Sequence, residues 1–169
     1  MIFFDTSEHQ LGEKRLFELP PLGGQWKIIF DFKPTEYIQD ERQRIVMTLA
    51  VGHNDPRVTG YSLVIGPPKI FLCCCRIMHP DAGVQEVGSV ESNELPVVGE
   101  WTRVEISREK EEDKYFLYLT VGGKELGKSD ITFAESRAAP PTDTFLRIGT
   151  DDVRDTHPGF VRRLVALRK

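Results

Sequence analysis

No apolar run in these 169 residues approaches the roughly 20 that a membrane helix needs, and Met1–Pro20 lacks the basic start and apolar core of a secretory leader. Membrane insertion is therefore not expected. An excess of positive charge is missing too. The formal net charge is −4 and Lys and Arg are scattered along the chain, which leaves no electrostatic footprint for nucleic acid or an anionic membrane. Cysteine is scarce: Cys73, Cys74 and Cys75 are the only three, and they are consecutive. Neighbours on a strand point to opposite faces, so these thiols are badly placed to bridge one another, and none remains elsewhere to pair with them. Without a disulfide framework or an Asn-x-Ser/Thr sequon, the chain is expected in a reducing intracellular compartment.

The patterns that mark catalysis are also absent. No Glu-x-Asp-x-Glu array sets two carboxylates on one strand face, as glycoside hydrolysis on a sheet requires. There is no His-Glu-x-x-His metal motif and no Gly-x-Ser-x-Gly nucleophile elbow, and His9, His53, His79 and His157 are far apart in sequence. Glu111, Glu112 and Asp113 fall in a lysine-laced tip, Arg108–Lys114, that reads as a solvated turn. The chain is not expected to be an enzyme.

What is present is alternation of period two. In the stretch 99–126, Thr102, Val104 and Ile106 alternate with Arg103, Glu105 and Ser107, and Tyr115, Leu117, Leu119 and Val121 alternate with Phe116, Tyr118 and Thr120. Gly122-Gly123 supplies the positive φ angles of a tight hairpin turn, so this stretch predicts a β-meander with Leu117 and Leu119 in the core. Trp26–Pro34 is a further core strand, with Trp26, Ile28, Phe30 and Phe32 on one face. Residues 45–51, 61–65 and 70–77 follow as strands separated by turn formers, and 84–90 as a weaker one. Cys73 and Cys75 are expected on one side of their strand and Cys74 on the other, as small buried apolar groups. Thr35–Arg44 reads as a long exposed connection with at most one helical turn. In the closing strand Val161 and Leu164 are both core candidates three positions apart, which strict alternation forbids and a bulge allows. Ten to twelve strands in one domain over 1–169 predict an all-β, two-sheet antiparallel β-sandwich.

The stretch GEWTRVEISREKEEDKYFLYLTVGGKEL, with WKIIFDFKP, RIVMTLAVG, YSLVIG, KIFLCCCRI, FLRIGT and GFVRRLVAL in order around it, resembles laminin G-like and related concanavalin A-like domains. The resemblance implies a jelly roll of two packed, curved sheets. It departs from the laminin subgroup at Gly159–Lys169, where a customary cysteine is missing. Domains of this kind bind sugars, peptides or calcium. The expected function is a non-catalytic binding module for a protein partner; the alternative is a lectin-like module for a glycan, with calcium as the one cofactor to consider. His53, Asn54, Asp55 and Arg57 group the donor and acceptor types that read sugar hydroxyls, and Asp151, Asp152 and Asp155 supply hard oxygen ligands for calcium. Trp26 and Trp101 are expected in the core rather than as sugar platforms.

Overall fold

The computed structural model describes residues 2–13, 15–51, 59–66, 70–79, 83–132, 144–150 and 152–169; the side chains of 59, 70–79, 83–87 and 153 are outside the description. Among these residues twelve strands form two antiparallel sheets of six. The first sheet has the order β1 (Phe3–Gln10), β12 (Gly159–Arg168), β3 (Trp26–Pro34), β8 (Thr102–Glu111), β9 (Lys114–Val121), β10 (Lys124–Asp130). The second has the order β2 (Arg15–Leu19), β11 (Thr144–Ile148), β4 (Arg44–Val51), β5 (Thr59–Gly66), β6 (Ile70–His79), β7 (Gly83–Ser92). The last two strands thus lie between early ones, and the sandwich is a jelly roll.

Alternation decides which side chains meet between the sheets. Trp26, Ile28, Phe30 and Phe32 of β3, Val104 and Ile106 of β8, and Leu117 and Leu119 of β9 are buried, facing Leu49, Leu63, Val90 and Leu146 of the second sheet in one continuous cluster. Each such side chain, fully withdrawn from water, contributes about 1.5–3 kcal/mol before chain entropy is set against it. The hairpin turn falls at Gly122 and Gly123, with φ of 61° and 81°. Val161 and Leu164 both reach the core because β12 bulges between Arg162 and Val165, with Arg163 at φ 53°.

One expectation needs correction. The predicted charged tip is mostly strand: β8 runs on to Glu111, and only Glu112 and Asp113 make the turn. Arg108 faces inward beside Trp26, its guanidinium donating to the Gly24 carbonyl and stacking 4.0 Å from the Tyr115 ring, because a sandwich margin lets a long side chain bury its stem and keep its head partnered. Residues 35–43 hold no helical turn; an Asp40–Arg44 pair, bonded twice at 2.8 and 2.7 Å, organises the approach to β4 instead. Register sets Cys73 opposite Leu63 and Val90, Cys74 opposite Ser62 and Ser89, and Cys75 opposite Tyr61 and Gly88; the thiols themselves lie outside the described side chains.

At one margin the two sheets meet directly, β7 against β10. Ser89 N donates to Ser129 Oγ at 3.1 Å, and a Cβ on Gly88 would stand 2.7 Å from that oxygen and 2.8 Å from Ile131 Cγ2.

Candidate functional site

Register arranges the outward face of the first sheet in rungs that run across its strands. Phe4 of β1 pairs with Val165 of β12, and Val165 with Ile29 of β3, giving an apolar rung. The next rung along is charged: Arg162 pairs with Asp31 of β3, and Asp31 with Arg103 of β8. Rungs on one face are two residues apart, about 7 Å. Between these two lies a groove of about 280 Å³ lined by Phe4, Thr6, Ile29, Asp31, Arg103, Arg163 and Val165.

The bulge in β12 explains why three arginines surround one carboxylate. Alternation would send Arg163 to the face opposite Arg162; the extra residue, in the left-handed region, brings both to Asp31. Asp31 is only 7% exposed. Its Oδ2 accepts from Arg162 Nε at 3.3 Å, while Arg163 Nη1 stands 3.6 Å away and Arg103 Nε 3.9 Å from Oδ1. Arg162 is held on its other side by the Trp101 ring at 4.1 Å, and Lys33 lies over the same ring at 4.7 Å and over Phe160 at 5.1 Å. Trp101 is therefore half-buried on the outer face, not in the core, because strand β8 begins just after it and the cations of β3 and β12 cover it. Trp26 is in the core, edge-on to Tyr61 at 4.8 Å.

Of the residues singled out in the sequence, His53, Asn54, Asp55, Arg57 and Asp151 lie outside the described residues. Asp152 accepts from Arg154, whose guanidinium and backbone N–H hold its carboxyl down to about 2. Asp155 accepts from Arg42 Nη1 at 2.9 Å, so both described aspartates of that loop are engaged by arginines. Among the described residues no three His, Cys, Asp or Glu side chains converge as a metal-binding group. Sequence reading missed the Asp31 groove. Its signal was the Arg162-Arg163 pair at the anticipated bulge, together with an aspartate at an outward position of a core strand.

A second hollow, about 250 Å³, opens at one end of the sandwich beside Gln10, Thr35, Ile38 and Phe160. His157, which borders it, packs on Phe32 and Tyr37, and neither of its ring nitrogens makes a hydrogen bond of normal geometry among the described residues. Burial pushes its imidazole down to about 4.

The fold defines the class: an all-β jelly roll of two packed antiparallel sheets. No protein-family model matches the chain, and no curated protein matches it in sequence. Solved structures match by shape. The CBM40 of the Ruminococcus gnavus IT-sialidase, bound to α2,3-sialyllactose, has a TM-score of 0.55 at 14% identity, covering 100% of this chain and 89% of that one. A tetrameric galectin from a Cinachyrella ball sponge has a TM-score of 0.51 at 12% identity over 92% of this chain and 98% of its own. The heptameric SAP-like pentraxin of Limulus polyphemus has a TM-score of 0.53 at 12% identity over 96% and 74%. At these identities the likeness shows the fold alone, and the laminin G subgroup is not singled out.

Proposed function

We propose that this chain is a non-catalytic, glycan-binding module whose site is the groove on the outward face of its first sheet. The observation that carries the reading is the pairing of an apolar rung, Phe4–Val165–Ile29, with a rung of fixed donors and one acceptor around Asp31. A sugar ring has the same division. Its C–H face packs on an exposed aromatic or aliphatic surface, and its hydroxyls take directional hydrogen bonds. Phe4 is 53% exposed, which makes its ring available for such packing.

The sequence favoured a protein partner; the groove and the similar folds, which include a carbohydrate-binding module and a galectin, support the glycan instead. The non-catalytic half of the reading rests on Asp31 being the sole carboxylate among the described groove residues, where glycoside hydrolysis needs two. Asp31, the one carboxylate among the described groove residues, already accepts from Arg162, which weighs against calcium in this groove.

A glycan array probed with the whole chain, with and without added calcium, tests the reading. Selective binding that Phe4→Ala weakens about tenfold, the worth of one lost aromatic contact, supports it. An array without signal, beside a captured protein ligand competing at the same face, would overturn it in favour of the protein-interaction reading.

A further inference from the structure

We infer that the ligand of this groove is anionic, a sugar carrying a carboxylate or sulfate group held between Arg103 and Arg163. The inference rests on the glycan reading and narrows it to acidic sugars. Three guanidinium groups surround the one Asp31 carboxylate, and with Glu8 opposite Arg162 in register the rung still keeps a net positive charge, in a chain whose net charge is negative. Among the described residues only Arg162 hydrogen-bonds the Asp31 carboxylate. The other two stand beyond hydrogen-bond distance and make no side-chain hydrogen bond among the described residues.

Position separates the arginines by role. Arg162, clamped between Trp101 and Asp31, is a positioning residue. Arg103 and Arg163 approach Asp31 from opposite neighbouring strands, β8 and β12, and are 59% and 61% exposed. Both line the groove, and a planar guanidinium fork is the donor geometry that a carboxylate or sulfate oxygen pair accepts. Asp31 lies between them, 3.6 Å from Arg163 Nη1 and 3.9 Å from Arg103 Nε. The nearby acids do not fill the place: Glu105 is engaged by Lys27 at 3.8 Å, and Glu8, opposite Arg162 in register, forms no ion pair among the described residues. An anion seated there would leave the remainder of its sugar against Phe4 and Val165.

Calorimetric titration of the whole chain with lactose, sialyllactose and sulfated lactose, alongside polyglutamate, tests this. Sialyllactose or sulfated lactose is expected to bind at least about tenfold more tightly than lactose, with affinity falling as salt rises. Arg103→Gln and Arg163→Gly should each cost the acidic sugar about tenfold, the worth of a charge-assisted hydrogen bond, and cost lactose less, so that the preference for the acidic sugar narrows. Arg163→Gly places glycine where the backbone favours it, so its loss of binding cannot be laid to misfolding. The preferred arm distinguishes carboxylate from sulfate. Equal binding of all three sugars, unmoved by either variant, would refute the anionic ligand and leave the glycan reading standing. Binding of polyglutamate alone, or of nothing, would end both.

Discussion

Arg163 carries two opposed burdens at once. Its φ of 53° is a conformation that costs an L-residue with a Cβ about 1 kcal/mol, and its side chain contributes to the charged rung beside Asp31. Replacing it with glycine should therefore keep the unfolding free energy or raise it by up to about 1 kcal/mol even as anion binding falls; urea melts of Arg163→Gly and wild type check this. His157 makes a different prediction. In the unfolded chain its imidazole takes up a proton near 6.5, whereas burial holds it to about 4 in the folded protein. Between those values the unfolded state binds more protons. Stability is therefore full above about pH 6.5, falls as pH drops toward about 4, and loses at most about 3 kcal/mol to this group. Melts at pH 7, 5.5 and 4.5 should show that slope, and His157→Phe should flatten it whatever its effect at pH 7.

At the scale of the strand, alternation was legible and its interruptions were only half so. The period-two pattern of 115–121 put Leu117 and Leu119 in the core, where both are fully buried. Leu119→Ala should cost about 2–5 kcal/mol through the cavity it leaves, while Glu111→Ala, on an exposed hairpin end, should leave the midpoint almost unmoved; denaturant melts compare them directly. Val161 and Leu164 disclosed the bulge in β12. What sequence withheld was where the bulge would aim its extra residue, because that depends on which strand lies beside it. The pairing of β12 with β3 joins residues more than half the chain apart, and no local pattern encodes it. Arg108 was misread for a related reason: a charged residue in a charged run looks solvated unless the turn beyond it is placed to within a few residues. The β7–β10 seam was equally hidden, since Gly88 serves it by having no side chain. Gly88→Val should destabilise by about 1–3 kcal/mol through its collision with Ser129 and Ile131.

For the whole molecule, the place of β12 between β1 and β3 fixes an order of events in time. Contacts between β1 and β12 close a loop of nearly the full chain, the kind of pairing that forms late because its entropy must be met before it is rewarded. The meander of β8, β9 and β10 needs no such wait. Early in folding, β1 and β3 each present an unpaired edge to the gap that β12 will occupy, and unpaired edges attract other chains. Arg162 and Arg163 enter the groove only when that gap is filled. After a jump out of denaturant, strand signal should therefore recover first, and capacity to bind should return only with the slowest phase.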